Sequence, residues 1–126
     1  MYFYVDDITI RTMKRILVFI FSCVPAIAFA DIRINEVAWM GTANSASDEW
    51  LELYSDSVQN LDGWTLSAAD GGMTIALSGA IAAGGYYLIE RTDDTTVPNI
   101  PADLIAPFGN GLSNAGEILM LKDAVG

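Results

Sequence analysis

The sequence lacks histidine altogether and contains a single cysteine, Cys23. Histidine is the most common general base and a frequent zinc ligand, and cysteine is the usual thiol nucleophile, so the simplest routes to catalysis and to a zinc site are missing. A carboxylate pair could hydrolyse a glycoside, and Glu49 with either Glu52 or Asp48 is the candidate by proximity. In a strand, however, residues an odd number apart point to opposite faces. We therefore expect no catalytic residue, no metal site and no enzyme activity.

Basic residues are also scarce: 6 Lys and Arg stand against 16 Asp and Glu, and the formal net charge is −10. Nucleic-acid-binding proteins usually present a clustered basic face that neutralises phosphate charge. The sequence therefore predicts no direct binding of nucleic acid. A negative surplus instead favours solubility and low non-specific adhesion.

Residues 13–30 have the three parts of a cleavable signal peptide. Lys14 and Arg15 form a basic start, residues 16–21 are apolar, and Ala28-Phe29-Ala30 provides a small-residue cleavage site. A membrane anchor is the alternative, but 16–30 is shorter than the roughly 20 residues that a spanning helix needs. We expect a secreted or cell-envelope, extracytoplasmic protein whose mature chain does not span a membrane.

The segment before this leader, 1–12, carries Asp6 and Asp7, which do not suit a basic start. We interpret it as a non-native extension caused by a misassigned start site, with translation beginning at Met13. Lipidation at Cys23 is an alternative fate for the leader, although the bulky Phe21 suits a lipobox poorly.

Cleavage would leave residues 31–126, with three basic residues against 14 acidic ones and a net charge of −11. This segment has no cysteine, so no disulfide can stabilise it in an oxidising compartment. Its stability must come from an apolar core, and we expect Trp39, Trp50 and Trp64 to be the largest members of that core.

Short β-type runs alternate with turn residues along this segment, a spacing typical of an all-β sandwich or barrel. The first run changes phase at Asn35-Glu36, which predicts a β-bulge. Asp62-Gly63 favours a tight turn, and 92–107, with three of the four prolines, is expected to form a long loop. We expect strands at 32–39, 49–54, 58–61, 64–67, 73–77, 86–90 and 118–121.

Five motifs follow one another in this segment, and their order and spacing resemble the lamin tail domain in its bacterial secreted form. The resemblance implies an immunoglobulin-like β-sandwich over 31–126, without a catalytic residue. It implies structural roles for Asn35, Glu36, Trp50, Glu52, Asp62, Gly63 and Trp64, and we expect the carboxylates among them to satisfy backbone donors at the bulge and turn. The motifs are Ile34-Asn35-Glu36-Val37, Glu49-Trp50-Leu51-Glu52-Leu53-Tyr54, Leu61-Asp62-Gly63-Trp64-Thr65-Leu66, Gly84-Gly85-Tyr86-Tyr87-Leu88 and Leu112-Ser113-Asn114-Ala115-Gly116-Glu117.

The family usually adds at least one strand beyond the point that corresponds to Gly126. The resemblance therefore predicts a C-terminally incomplete sandwich in which a neighbouring strand has an unpaired edge. It also implies a non-catalytic adhesion, tethering or protein-interaction module, with envelope, surface or extracellular proteins or glycans as partners. The alternative is an accessory domain of a larger secreted hydrolase or nuclease that binds a glycan or calcium.

Two groups of residues are candidates for ligand binding. Tyr86 and Tyr87 are adjacent, so alternation along a strand sends one of them outward, where its ring could contact a sugar or a protein. Asp93 and Asp94, in the long loop with Asp103, offer the oxygen ligands that Ca²⁺ prefers, although their spacing matches no calcium-loop motif. Arg91 is expected to pair with neighbouring carboxylates at the surface.

Overall fold

The computed structural model describes residues 32–126, and the expected extension 1–12 and signal peptide 13–30 lie outside this range. The described residues form an all-β fold, without a helix. The strands are β1 (Ile32–Ala38), β2 (Trp50–Ser55), β3 (Gln59–Asn60), β4 (Thr65–Ala68), β5 (Thr74–Ala76), β6 (Ala80–Ile81), β7 (Gly85–Glu90), β8 (Leu104–Ile105) and β9 (Leu119–Lys122).

The strands form three sheets around one core, so the fold is a β-sandwich, as the sequence predicts. The largest sheet has the order β1-β2-β7-β8, the second has the order β5-β4-β9, and β3 pairs with β6. All of these pairs are antiparallel except β7 and β8, which run parallel. Within residues 32–126, β1 and β9 each pair with one strand only, and each lies at the end of its sheet.

Alternation along β2 builds one side of the core. Leu51 and Leu53 are fully buried, whereas Trp50, Glu52 and Tyr54 lie half-buried on the opposite face. Each fully buried leucine contributes about 1.5–3 kcal/mol relative to an exposed one. The second sheet supplies the facing side with Leu66, Ala68 and Ile75.

The expectation that the tryptophans are the largest core members is wrong. Trp39 is 45% exposed, Trp50 lies on the outer face of β2, and Trp64 is partly buried against the margin of the core. Phe108 is instead the largest fully buried side chain. It follows β8, directly after the expected loop 92–107, where the sequence has no periodicity that would indicate burial.

The bulge expected at Asn35-Glu36 is confirmed, because the register of β1 on β2 shifts between Ile34 and Glu36. The turn at Asp62-Gly63 also forms, and Gly63 has a φ of +84°, which glycine adopts without strain. This turn does not close a hairpin. It carries the chain from β3, which pairs with β6, to β4, which pairs with β5 and β9.

Two short strands were not expected from the sequence. Each of β6 and β8 has two residues, too few for an alternating pattern to show. β8 lies inside the expected loop 92–107 and places Leu104 opposite Ile89 of β7. The remainder of that segment is irregular, as expected.

Candidate binding surfaces

A groove of about 390 Å³ opens on the side of the sandwich where β1 and β9 end their sheets. Val37 and Trp39, at the end of β1, form one wall. Leu119 of β9 and the loop 112–117 form the other. We call this feature the edge groove, and its volume lies within the range typical of ligand sites, about 300–1,000 Å³.

The floor of the edge groove is apolar and its rim is accessible. Leu112 is buried, and Val37 and Leu119 are half-buried against the core. Trp39 leaves 45% of its surface in water. A tryptophan that is partly exposed beside an apolar floor has the properties of an interface anchor, since it offers a large rigid surface at low entropic cost.

Glu49 holds the loop that forms one wall of the groove. This residue is 3% exposed, and its carboxylate accepts hydrogen bonds from Leu112 N–H at 3.1 Å and from Arg91 Nη1 at 2.8 Å. Gly111 comes just before, with a φ of +84°, and a Cβ there would lie 2.5 Å from Arg91 Nη1. Glycine is therefore the residue that fits at this position.

Arg91 does not pair with neighbouring carboxylates at the surface, and that expectation is wrong. Its partner is Glu49, 42 residues away in the chain, and the two side chains are only 20% and 4% exposed. The pairing of β2 with β7 explains the contact. Trp50 lies opposite Glu90, and in the chain Glu49 precedes Trp50 while Arg91 follows Glu90. The ion pair therefore ties the loop wall to the four-stranded sheet.

Acidic side chains lie around the edge groove. Glu117 lines it, and its Oε2 accepts a hydrogen bond from Ser113 N–H at 3.1 Å. The same carboxylate also lines an adjoining depression of about 320 Å³, together with Asp70 and the exposed Ile118. No basic residue is among the described residues that line either space. The local charge is therefore negative.

A second surface, on the outer face of the four-stranded sheet, combines two aromatic rings with an ion pair. Arg33 of β1 lies opposite Tyr54 of β2, which lies opposite Tyr86 of β7. The tyrosine ring centroids are 5.1 Å apart at an interplanar angle of 61°, and Arg33 Cζ is 4.3 Å from the centre of the Tyr54 ring. Asp56 accepts a hydrogen bond from Arg33 Nη1 at 3.1 Å. We call these four residues the tyrosine face.

The ionisation of the tyrosine face is set by contacts among its own members. The hydrogen bond between the Tyr54 hydroxyl and Asp56 raises the pKa of Tyr54, and desolvation and the Asp56 charge add to this effect. The same hydrogen bond, with that from Arg33, lowers the pKa of Asp56. At neutral pH the Tyr54 hydroxyl is therefore protonated and the Asp56 carboxyl is ionised.

The structure separates the two adjacent tyrosines as alternation requires. Tyr86 is 58% exposed, whereas Tyr87 is 3% exposed and its hydroxyl donates to the Ser78 carbonyl at 2.7 Å. Burial raises the pKa of Tyr87, and the charge of Asp103 adds to the shift. Tyr87 is thus a core residue and not a surface contact, which leaves Tyr86 as the available ring of this pair.

The motif carboxylates have different roles. Asp62 Oδ1 accepts a hydrogen bond from Gly79 N–H at 2.9 Å, which is the structural role expected of it. Glu52 accepts from a side chain, Asn35 Nδ2 at 2.7 Å, and so braces the bulge without meeting a backbone donor. Glu36 is exposed. Glu49 and Glu52 lie on opposite faces, as the sequence predicts.

Each acidic residue of the long loop accepts a hydrogen bond from a different partner. Asp93 accepts a hydrogen bond from the Thr95 hydroxyl, Asp94 Oδ1 from Ala102 N–H at 2.6 Å, and Asp103 Oδ2 from Leu88 N–H at 2.8 Å. Within residues 32–126 no three side chains of the metal-ligating types converge on one point. In the structure each of these carboxylates therefore satisfies a local donor.

Sequence reasoning missed the edge groove. The sequence predicts Trp39 in the core, and it marks Leu112 and Ala115 only as members of a motif that resembles the family. One feature of the sequence could have indicated the groove. The motif 112–117 is rich in small residues, and its single leucine precedes a polar turn. Burial of Leu112 and exposure of Trp39 depend on the packing of two sheets, which a single strand pattern does not encode.

No helix among the described residues is both long enough and apolar enough to cross a membrane. In comparisons with known proteins, no family model matches the chain and no curated protein matches it. The assignment of a function therefore depends on the two surfaces described above.

Proposed function

We propose that the chain is a non-catalytic, extracytoplasmic adhesion or tethering module of the lamin tail domain type, which holds a protein partner through the edge groove. The observation that carries the proposal is Trp39, 45% exposed at the rim of an apolar groove in a protein otherwise rich in negative charge. The lamin tail domain type is supported by the order of the five sequence motifs, together with the β-sandwich on which they lie.

The hydrogen bonds that hold the wall of the groove favour attachment of a partner over catalysis. Its polar neighbours, Glu49 and Glu117, both accept hydrogen bonds from backbone N–H groups of the loop wall. These carboxylates therefore hold the shape of the groove, and a preformed site loses little entropy when a partner binds. Tethering needs this kind of site and no reactive group.

A glycan is a second candidate ligand, favoured by the tyrosine face. Exposed aromatic rings stack on the apolar faces of sugar rings, while carboxylates and guanidinium groups bind hydroxyls. Tyr86 supplies an exposed ring, and Arg33 and Asp56 supply polar groups beside it. In this reading the chain is an accessory glycan-binding domain of a larger secreted hydrolase or nuclease.

The two candidates can be separated by sedimentation of the purified exported protein with cell envelopes isolated from the producing organism. If the edge groove tethers the protein, Trp39→Ala reduces the bound fraction and Tyr86→Ala does not. If the tyrosine face binds a glycan, the pattern reverses. Prior treatment of the envelopes with protease should abolish the first kind of binding and spare the second. Equal binding by wild type and both variants would contradict both candidates.

The extracytoplasmic location has its own test. N-terminal sequencing of the exported protein should begin at Asp31, since the proposed cleavage follows Ala30. An exported chain that still begins at Met1 or Met13 would overturn cleavage.

A further inference from the structure

We infer that the outer face of the four-stranded sheet binds a linear glycan whose sugar units carry free amino groups, with the row of sugars lying along β2. This inference rests on the glycan candidate proposed above and specifies the length and the charge of the ligand. The aromatic residues of β2 and β7, and two carboxylates beside them, support it.

The outer face of β2 carries aromatic residues at both of its ends. Trp50, Glu52 and Tyr54 alternate with the buried Leu51 and Leu53, so all three lie on the outer face. At about 3.3 Å per residue, Trp50 and Tyr54 are about 13 Å apart along the strand. This distance is longer than one sugar ring, and the row therefore suits an oligosaccharide.

Contacts within the tyrosine face determine which rings can stack on a sugar. Arg33 Cζ lies 4.3 Å from the centre of the Tyr54 ring, so a guanidinium of the chain already covers one face of that ring. Tyr86 lies opposite Tyr54, contacts it in an edge-to-face arrangement and is 58% exposed. A ring supported in this way loses little entropy when a ligand binds. Tyr86 and Trp50 are therefore the two stacking positions.

Two carboxylates of neighbouring strands lie opposite each other between these positions. The register places Glu36 of β1 opposite Glu52 of β2, at the bulge. Like charges directly opposite each other destabilise a pair of strands. Neither carboxylate takes part in an ion pair among residues 32–126. A local arrangement that lowers stability is typical of a functional site, and bulges often aim a side chain at a ligand.

The charge of this face selects a cationic glycan. Ammonium groups of amino sugars are attracted to Glu36 and Glu52, and Asn35 Nδ2 donates to Glu52 at 2.7 Å and so positions that carboxylate. A glycan with carboxyl or phosphate groups would be repelled, since the net charge of the chain is −10. A protein partner fits this face less well, because charged residues are depleted at the centre of protein interfaces.

The test titrates ligands of defined charge and length into the purified exported protein, by calorimetry in a mildly acidic buffer that protonates the amino groups. A glucosamine hexamer should bind, and more weakly as salt rises to about 0.5 M, because exposed charges are then screened. Its fully N-acetylated form lacks the charges and should bind at least about tenfold more weakly. A glucosamine dimer should show a similar loss, since it cannot reach both rings. Hexalysine, which has charges but no sugar rings, should show no measurable binding.

Variants locate the binding site of the glucosamine hexamer. Trp50→Ala and Tyr86→Ala should each weaken its binding about fivefold or more, because each removes a stacking ring. Glu36→Gln should weaken it at least about threefold while Tm stays the same or rises, because the repulsion from Glu52 is removed. Trp39→Ala, in the edge groove, is the matched control and should leave binding unchanged. Circular dichroism and melting curves confirm that each variant is folded.

Each outcome decides a separate point. Equal binding of the N-acetylated hexamer, or unchanged binding by Glu36→Gln, would overturn charge selection. Equal binding of the dimer would overturn the row along β2, and equal binding of hexalysine would overturn recognition of sugar rings. Absence of binding by all of these ligands, with envelope binding that survives protease and depends on Tyr86, would overturn this inference while the glycan candidate stands. Loss of Tyr86 dependence in both assays would overturn both.

Discussion

The buried ion pair between Glu49 and Arg91 should be the most sensitive polar contact of the domain. Glu49→Ala removes the acceptor of Leu112 N–H and leaves the guanidinium without its carboxylate. Breaking a buried pair from one side costs about 3–5 kcal/mol. Since the Arg91 side chain keeps 20% of its surface exposed, we expect a loss near the lower end, about 3 kcal/mol. For a domain of this size that loss lowers Tm by more than about 10 °C.

Urea unfolding followed by far-UV circular dichroism measures this loss, and a double-mutant cycle isolates the pair. Arg91→Met leaves a buried carboxylate without its cation and should also cost several kcal/mol. The double variant should cost less than the sum of the singles by at least about 1 kcal/mol, because neither charge then remains alone. Strict additivity, or a Glu49→Ala loss below about 1 kcal/mol, would refute the reasoning.

A second ion pair among residues 32–126 is a matched control for this cycle. Arg33 and Asp56 are 3.1 Å apart, comparable to the buried pair, but their side chains are 48% and 57% exposed. Surface pairs contribute about 0–1 kcal/mol because water and salt screen them. Arg33→Ala should therefore lower the free energy of unfolding by no more than about 1 kcal/mol, plus any packing lost against Tyr54.

Three further predictions concern backbone strain, ionisation and calcium. Gly111→Ala should lower the free energy of unfolding more than Gly71→Ala. Both glycines have a positive φ, but of the two only Gly111 would bring a Cβ within 2.5 Å of another atom. Urea unfolding of the two variants measures the difference. The pKa of Tyr87 is raised above its usual value near 10. The neutral phenol therefore stabilises the folded state fully below about pH 10, and this stabilisation is lost as pH rises through the folded-state pKa. Tyr87→Phe should remove that part of the alkaline decline and cost about 1 kcal/mol at neutral pH, where only the hydrogen bond to Ser78 is lost. Melting curves with calcium and with chelator should coincide, because the aspartates of the long loop each serve a local donor.

The results that would contradict these predictions are equally concrete. Equal losses for the two glycine variants would show that the Arg91 side chain moves aside without cost. An unchanged alkaline decline in Tyr87→Phe would assign that decline to other groups, and Tyr86→Phe is the control on the exposed neighbour. A Tm raised by calcium would contradict the third prediction and favour the long loop as a metal site.

The parts of the fold that depend on neighbouring residues in the chain could be predicted from the sequence. The alternation of Leu51 and Leu53 with outward residues gave β2, and the change of phase at Asn35 gave the bulge. Glycine at position 63, after an aspartate, gave a turn. In each case a local rule of strand period or backbone conformation decides the structure.

The parts of the fold that depend on contacts between residues distant in the chain could not be predicted from the sequence. Arg91 has acidic neighbours in the chain, but strand pairing places Glu49 beside it, and no local pattern contains that register. Phe108 lies in a proline-containing segment without periodicity, and only the packing of two sheets reveals that it is buried. The edge groove was missed for the same reason, because Trp39 and Leu119 meet across the sandwich and not along it.

The long loop between β7 and β8 is fastened at several points by carboxylates. Glu90, fully buried, accepts hydrogen bonds from the N–H groups of Thr96 and Val97, and Asp94 and Asp103 hold Ala102 and Leu88. Proteases cut segments that can detach and extend into their active sites, and exposed loops are their usual targets. A loop pinned in this way should resist digestion although no disulfide secures it. Limited proteolysis of Glu90→Ala should then show cleavage within 91–103 well before wild type is cut, because the N–H groups of Thr96 and Val97 lose their acceptor.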